Sequence, residues 1–373
     1  MRKKIKWTGK QRDKRQWIFF GCLLLAVLFT AAAGYFCGQG EGGSCFVSGY
    51  YTEPQMSARE LSQYMEKQAE KEENPEIRSA GAEETDKIGT EIPQVTGWTR
   101  QDRVSFKRQD GMAEQGTLYQ ICGSMEVFFP EGLRGGSLPW REDEAGCVVS
   151  TALAWELYGS RDVAGNQILA QDREYCIRGI VDSDRVFLAV QAQEKDPIQN
   201  FRLRYQSSAQ PVSGAETFLY QMTGNQPEAV YEGVLYAGLA RILLLVPVLL
   251  LEILALLFVR DKSRSAVQPK VGRAVRAGVT LLFAALLFWE AMQACSFSRD
   301  YLPSMWSDLS FYPGLIVEKA ERTASLLEQQ LCPAEERSLA WLWKTALCCG
   351  AGWMAAIAAM VSRAGNGRKL KLR

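Results

Sequence analysis

The sequence predicts an α+β domain outside the membrane, carried by a region of four transmembrane helices. Four long segments are almost free of charge, and short β-type runs fill much of the chain between the first two of them. Helices are expected between some of these runs, which gives the α+β class. The mean hydropathy of −0.13 is therefore an average over apolar and polar segments.

The four apolar segments have the length of membrane spans. They are 19 to 22 residues long and cover residues 17–36, 239–259, 277–295 and 340–361. At about 1.5 Å per residue, a helix of this length crosses a hydrocarbon core of about 30 Å. A buried helix in a soluble protein rarely needs this length, so membrane spans are favoured.

Charges beside the spans predict the topology. Lysine and arginine outnumber acids by eight to one in residues 1–16, by six to one in residues 260–276 and by five to none in residues 362–373. The positive-inside rule makes these three stretches cytoplasmic. The prediction is a multi-pass cell-membrane protein with both termini inside, and with residues 37–232 and the loop 296–339 outside.

The first span has an alternative interpretation as a cleavable signal peptide. A basic start, an apolar run and Ala31-Ala32-Ala33 fit that pattern. The long basic region and the full-length apolar run favour a retained span instead.

Residues 37–94 predict a hinge, a short helix and a linker. Residues 38–43 are rich in glycine, which predicts the hinge. Ser57-Ala-Arg-Glu60 has capping-box spacing before an amphipathic helix that runs to about Glu73. Few large apolar residues follow until folded structure resumes near Val95, where a domain over 95–232 begins. Its β-type runs include Thr117–Ile121, Glu126–Phe129, Gly146–Val149, Tyr175–Val181 and Val186–Val190.

Several kinds of chemistry find no support in the sequence. The chain has no histidine, which excludes Ser-His-Asp and Cys-His catalysis and histidine-bearing zinc sites. It has no Walker motif, and the string Gly38-Gln-Gly-Glu-Gly-Gly43 follows a membrane span instead of a strand, so no nucleotide site is predicted. We therefore expect no enzyme activity, cofactor or metal. The basic runs flank spans, so they indicate topology and not nucleic-acid binding.

Cysteines and charged residues in the spans leave alternatives open. The outer cysteines among the ten could form disulfides, but their spacing assigns no pairs. A charge in the membrane is costly, which makes Glu252, Glu290 and Lys344 candidate functional residues. Glu290 and Lys344 lie at similar depth and are predicted to pair. For Glu252 four interpretations stay open: it meets a partner subunit, lines a polar cavity, is protonated, or makes a buried hydrogen bond. Small residues in the last span predict close helix packing, namely Ala351, Gly352, Ala355, Ala356 and Ala359.

The most informative segment is Gly146–Val181. It reads as strand, helix, glycine turn, strand, turn and strand, with the helix over Thr151–Tyr158 capped by Ser150 and ended by Gly159. It resembles the periplasmic core domain of MacB-like permeases, and so a divergent FtsX-like ABC transporter permease. The matching positions include Ser150, Leu153, Ala154, Leu157, Gly159, Asp162, Gly165, Tyr175 and Gly179. Their residue types indicate structural roles and no catalytic one.

This resemblance implies a permease-like subunit that couples a separate cytoplasmic ATPase to the outer domain, for export or for mechanotransmission in the envelope. The implied partners are that ATPase, a second permease or a second copy of this chain, membrane lipid, and an outer substrate or partner that the sequence does not identify. The ATPase would contact the loop 260–276 through Arg260, Lys262, Arg264, Lys270 and Arg273.

One departure from the family pattern motivates an alternative. FtsX-like permeases continue from the second span into a Glu-Arg-x-x-Glu-Ile-Gly segment, where this chain has Arg260-Asp-Lys-Ser-Arg-Ser-Ala. The alternative is a membrane-anchored binding or assembly protein that has lost its coupling to an ATPase.

Overall fold

The computed structural model describes residues 2–73, 92–206, 212–264, 269–294, 301 and 311–367. Side chains at 2–16, 71–73, 260–264, 269–276, 290, 291, 293, 294 and 363–367 are outside this description. The chain divides into two compact units. The helical unit comprises Met1–Ser44, Val234–Phe297 and Arg337–Arg373, and the sheet unit comprises Cys45–Gly233 and Ser298–Glu336.

The helices of the described residues, in chain order, are α1 Arg2–Gly40, α2 Ala58–Glu73, α3 Met125–Phe128, α4 Thr151–Tyr158, α5 Val212–Thr223, α6 Gly233–Arg264, α7 Pro269–Ala294, α8 Phe311–Glu328 and α9 Pro333–Gly367. The strands are β1 Phe46–Tyr50, β2 Met56–Ser57, β3 Gln94–Lys107, β4 Ala113–Gly123, β5 Gly135–Gly136, β6 Gly146–Ser150, β7 Gln167–Ala170, β8 Arg173–Val181, β9 Phe187–Gln191, β10 Pro197–Ile198, β11 Asn200–Arg204 and β12 Ala229–Glu232.

Three helical stretches are long and apolar enough to cross a membrane, judged by length and composition: Trp17–Gly43, Gly233–Val259 and Pro333–Ser362. They contain three of the four predicted spans. The fourth, predicted over 277–295, is present among the described residues as a shorter apolar stretch, Ala277–Trp289, within α7. A set of exactly four spans therefore stays a prediction.

Small residues bring α1 and α9 together in the helical unit. A Cβ added at Gly352 would lie 3.2 Å from Oγ1 of Thr30, and Ala26, Ala356 and Ala359 are fully buried. Ala351 and Ala355, also predicted for this packing, are half-buried. Close approach without a bulky side chain is how apolar helices gain van der Waals contact when water offers no driving force.

The sheet unit is built on a ten-stranded mixed sheet. The main order is β12-β1-β11-β3-β4-β9-β6-β8-β5, and β7 pairs with β3 and β8. Strands β2 and β10 form a separate two-stranded sheet. Because β1 pairs with both β11 and β12, the sheet unit begins before the predicted range of 95–232.

A local sequence rule holds at the start of α2, and the prediction for Glu126–Phe129 is wrong. The predicted capping box is present, since Ser57 N and Oγ each donate to Oε2 of Glu60, at 2.8 and 2.9 Å. The run Glu126–Phe129, predicted as β-type, instead contains the single helical turn α3. Strand β4 ends at Gly123, whose φ of +118° turns the chain, and α3 then buries Val127 and Phe128.

Two apolar clusters that pack helices against the sheet are part of the core of the sheet unit. One packs α4 against β4, β6, β8 and β9, and the other packs α2 and α5 against β1, β3 and β11. Side chains alternate along a strand, so Val47 and Phe201 point into the second cluster while their neighbours Ser48 and Arg202 point to the opposite face. This opposite face also carries Tyr50 and Trp98, and we call it the strap face because residues 329–336 cross it.

Candidate functional site

The segment that carries the family resemblance is structural. Ser150 ends β6 and caps α4, and its Oγ accepts hydrogen bonds from the backbone N–H of Leu153, at 3.1 Å, and of Phe187, at 3.2 Å. Leu153, Ala154 and Leu157 are buried in the apolar cluster beneath α4. The helix ends at Gly159, whose φ of 65° is a left-handed conformation that glycine adopts without strain.

The other motif positions shape the neighbouring turns. Asp162 is exposed, and its backbone N–H donates to Oγ of Ser160 at 3.1 Å. Gly165 has a φ of +87°, and Tyr175 is buried in the same cluster as Leu153. Gly179 allows a close approach, because an added Cβ would lie 2.8 Å from Cδ1 of Leu133. These residues make turns and core contacts, and their assignment as family-motif positions stays a prediction.

Ser150→Ala is expected to lower the free energy of unfolding of the sheet unit by about 1–2 kcal/mol. The change removes the acceptor for two backbone N–H groups, one in α4 and one in β9. Urea-dependent pulse proteolysis of the full chain in detergent measures the shift. Ser150→Thr retains the hydroxyl, and a loss in Thr equal to that in Ala would contradict the capping role.

The predicted intramembrane and loop residues are only partly described. Glu252 is half-buried in α6, and Nζ of Lys344 lies 4.1 Å above the ring of Trp341. The side chain of Glu290 is outside the described residues, so its pairing with Lys344 stays a prediction. The side chains at the proposed ATPase contact are also outside the described residues, so that contact stays a prediction. They are Arg260, Lys262, Arg264, Lys270 and Arg273.

Cysteines and possible metal ligands form no site in the described part of the chain. The nine cysteines described there are free thiols, and no group of three or more cysteines and acids is arranged to hold a metal ion.

A buried segment that the sequence did not predict crosses the strap face. We call residues 329–336, which comprise the link after α8 and the first turn of α9, the strap. Its residues Leu331–Glu335 are all buried in the sheet unit. The hydroxyls of Ser48 and Tyr50, both on β1, donate to the two carboxylate oxygens of Glu335. The backbone N–H of Cys332 donates to the Tyr50 hydroxyl oxygen at 3.2 Å.

Arg202 on β11 completes this cluster. It is 1% exposed, and its Nη1 donates to Sγ of Cys332 at 3.2 Å. Its guanidinium carbon lies 4.2 Å from the centre of the Phe46 ring, and its charge interacts with that of Glu335. Burial, with the charge of Glu335, raises the pKa of Tyr50, so the hydroxyl keeps its proton and remains a donor.

A second buried carboxylate, Glu232, lies at the end of β12. It is 2% exposed and accepts from the hydroxyl of Tyr301 and from Nζ of Lys319, each at 2.6 Å. Arg322 lies 3.8 Å from Glu232 and also pairs with Glu216 on α5 and with Glu318 on α8. Helix α8 is thereby fixed to β12 by ion pairs that are largely shielded from water.

The two carboxylate clusters lie where the chain passes between the two units. Glu232 is followed directly by α6, and Glu335 stands in the first turn of α9. Strand β1, which holds Glu335 and pairs with β12, begins a few residues after α1 ends. The chain passes between a long helix and the sheet unit from α1 to β1, from β12 to α6 and from the strap into α9. We call these connections the three chain passages, and all three are anchored on the neighbouring strands β1 and β12. The sequence signal that could have marked the start of α9 is Pro333 followed by Glu335 and Glu336, a pattern typical of a helix start.

A polar surface cleft of about 470 Å³ lies between α5, β12 and α8. Its walls include Glu216, Tyr220, Glu228 and Arg322. Because Arg322 is already paired with carboxylates, the cleft presents no uncompensated positive charge from this residue to a ligand.

Comparisons with solved structures find similarity to the periplasmic or extracellular regions of other proteins. The periplasmic region of MacB from Actinobacillus actinomycetemcomitans matches at 11% identity and a TM-score of 0.39, covering 51% of this chain and 90% of that one. The extracellular domain of the noncanonic ABC-type transporter YknZ from Gram-positive bacteria matches at 16% identity and a TM-score of 0.34, covering 50% of this chain and 97% of that one. No sequence-family model matches the chain, and a search of curated proteins finds no match.

Proposed function

We propose that this chain is a permease-like subunit of an ABC-type complex, in which a separate cytoplasmic ATPase moves the membrane helices and thereby the outer sheet unit. The observation that carries the proposal is the anchoring of three chain passages on β1 and β12, through their mutual pairing and through Glu335. The motif at Gly146–Val181 and the basic flanks of the spans support it from the sequence.

The anchored passages give a physical route for movement. A shift of the first turn of α9 acts on β1 through the two hydrogen bonds to Glu335, and a shift of α6 acts on β12 directly through the chain. Buried hydrogen-bonded charges resist sliding, because displacement would leave them desolvated and unpaired. Strands β1, β11, β3 and β4 are hydrogen-bonded in succession, so the displacement would pass on across the sheet.

The ATPase would belong to another chain and would contact the basic loop at 260–276. The tagged full-length protein, purified in mild detergent, is expected to bring down a nucleotide-binding subunit that mass spectrometry identifies. The variant with Lys270→Gln and Arg273→Gln is expected to recover about tenfold less of it, because two charged contacts of an interface are lost.

A matched control removes the same charge elsewhere. Lys369→Gln with Lys371→Gln changes the predicted cytoplasmic tail and should leave recovery of the ATPase unchanged. Absence of any nucleotide-binding subunit from the wild-type preparation would refute the coupling proposal.

The second candidate function is an anchored outer binding or assembly protein without an ATPase. The Arg260-Asp-Lys-Ser-Arg-Ser-Ala segment, in place of the FtsX-like pattern, favours it. It predicts that the same purification yields an outer partner and no nucleotide-binding subunit.

A further inference from the structure

The cleft between α5, β12 and α8 has the volume of a small-molecule site. Its 470 Å³ lies within the range of about 300–1,000 Å³ that such sites occupy. Most of its lining is polar: the carboxylates of Glu216 and Glu228, the amide of Gln226, the guanidinium of Arg322, and hydroxyls on α5 and α8. Small-molecule sites are usually lined mainly by apolar side chains, so this lining indicates a polar ligand.

The charges of the cleft argue against an anionic ligand. Arg322 is the one cation among the described lining residues, and it already pairs with Glu216. Glu228 adds a second carboxylate, so an anion would meet a net negative lining and no free cation. Both carboxylates have partners within the chain, because Glu228 accepts hydrogen bonds from the backbone N–H and the hydroxyl of Thr52. An uncharged ligand is therefore favoured.

The polar groups are held in place by the chain itself. Thr52 fixes Glu228, and the ion pair with Glu216 fixes Arg322. A carboxylate has about four lone-pair sites and a guanidinium has five N–H donors, so acceptors and donors remain for a ligand. The amide of Gln226 adds both kinds. Ligand hydroxyls, each of them donor and acceptor, match this mixed lining, and fixed side chains lower the entropic cost of binding.

Tyr220 adds an aromatic surface to the polar lining. It is 52% exposed and lines the cleft from α5. An aromatic ring offers a large, rigid and apolar contact area at low cost in conformational entropy. A sugar ring has the complementary shape, because it carries C–H groups on its face and hydroxyls around its rim.

We propose that this cleft binds a neutral saccharide, with a sugar face on the ring of Tyr220 and sugar hydroxyls hydrogen-bonded to Glu228, Gln226 and Arg322. The site goes beyond the proposed ATPase coupling and does not depend on it, since every lining group belongs to the sheet unit. Its failure would leave the recovery of a nucleotide-binding subunit unaffected, and the reverse is also true.

Calorimetric titration of the full chain tests the proposal. The protein is purified in lauryldimethylamine oxide, because maltoside and glucoside detergents carry sugar headgroups that would compete. The probes are chitotetraose, cellotetraose and maltotetraose, and at least one is expected to bind saturably at one site. Tyr220→Ala should weaken that binding at least about tenfold through loss of the aromatic contact. Tyr220→Phe keeps the ring and should bind as the wild type does.

A matched control removes an exposed aromatic side chain elsewhere. Trp155 is 57% exposed on α4 and does not line the cleft, so Trp155→Ala should leave saccharide binding unchanged. Binding of none of the three tetrasaccharides would overturn the proposal, and so would wild-type affinity in Tyr220→Ala or an equal loss in Trp155→Ala. Binding of pentalysine in place of the sugars would overturn it as well, since the carboxylates would then recognise a cation.

Discussion

Glu335→Ala is expected to lower the free energy of unfolding of the sheet unit by about 3–5 kcal/mol, the usual cost of removing one partner of a buried ionic cluster. Glu335 is fully buried, and its loss leaves Arg202 charged and buried while Ser48 and Tyr50 lose their shared acceptor. Urea-dependent pulse proteolysis of the full chain in detergent measures this loss as a lower urea concentration at the midpoint of unfolding.

The neighbouring acid supplies a matched control. Glu336 pairs with Arg185, whose side chain is 62% exposed, so Glu336→Ala should cost only about 0–1 kcal/mol, as surface ion pairs do. A second control, Glu335→Leu combined with Arg202→Met, removes both charges and should recover much of the stability. If Glu335→Ala costs no more than Glu336→Ala, the cluster does not hold the strap.

Leu153→Ala is expected to destabilise the sheet unit by about 3–4 kcal/mol, within the range for emptying a rigid core position. Leu153 is fully buried in the cluster beneath α4, where β6, β8 and β9 meet the helix. The same pulse-proteolysis experiment measures the effect. Loss of the function of the sheet unit in this variant would then follow from unfolding.

Trp155 on the same helix provides the contrast. It is 57% exposed, so Trp155→Ala should change stability by no more than about 0.5 kcal/mol. A large loss in Trp155→Ala with little loss in Leu153→Ala would mean that α4 packs through its other face. The two variants therefore test the helical stripe that the sequence predicted for Leu153, Ala154 and Leu157.

Local patterns in the sequence predicted much of the sheet unit. The capping residues Ser57 and Ser150, the helix ended by Gly159, and the strands on both sides of α4 follow from rules that act over a few residues. Strand β1 was missed because its residues Phe46–Tyr50 are few and mix polar with apolar side chains. It is a strand because β11 and β12, far away in sequence, pair with it.

The cluster around Glu335 could not be predicted from the sequence, for the same physical reason. Glu335 stands 287 residues after Ser48 and 285 after Tyr50, and nothing in Cys-Pro-Ala-Glu-Glu distinguishes a buried glutamate from an exposed one at a helix start. Burial is a property of the assembled sheet, so hydropathy assigned residues 296–339 to an outer loop without indicating that part of it completes the domain.

The sequence by itself determined the class of this protein: apolar segments long enough to span a membrane, the α+β class of the sheet unit, and the helix and turns of its motif. Each depends on composition or on spacing within one element, where the physics is local. The tertiary structure decided which residues of the segments between the apolar helices join the sheet unit, and that Glu232 and Glu335 are buried and paired close to where the chain enters α6 and α9. Such contacts depend on chain segments that meet only after folding, because the cost of burying each charge is offset by partners distant in sequence.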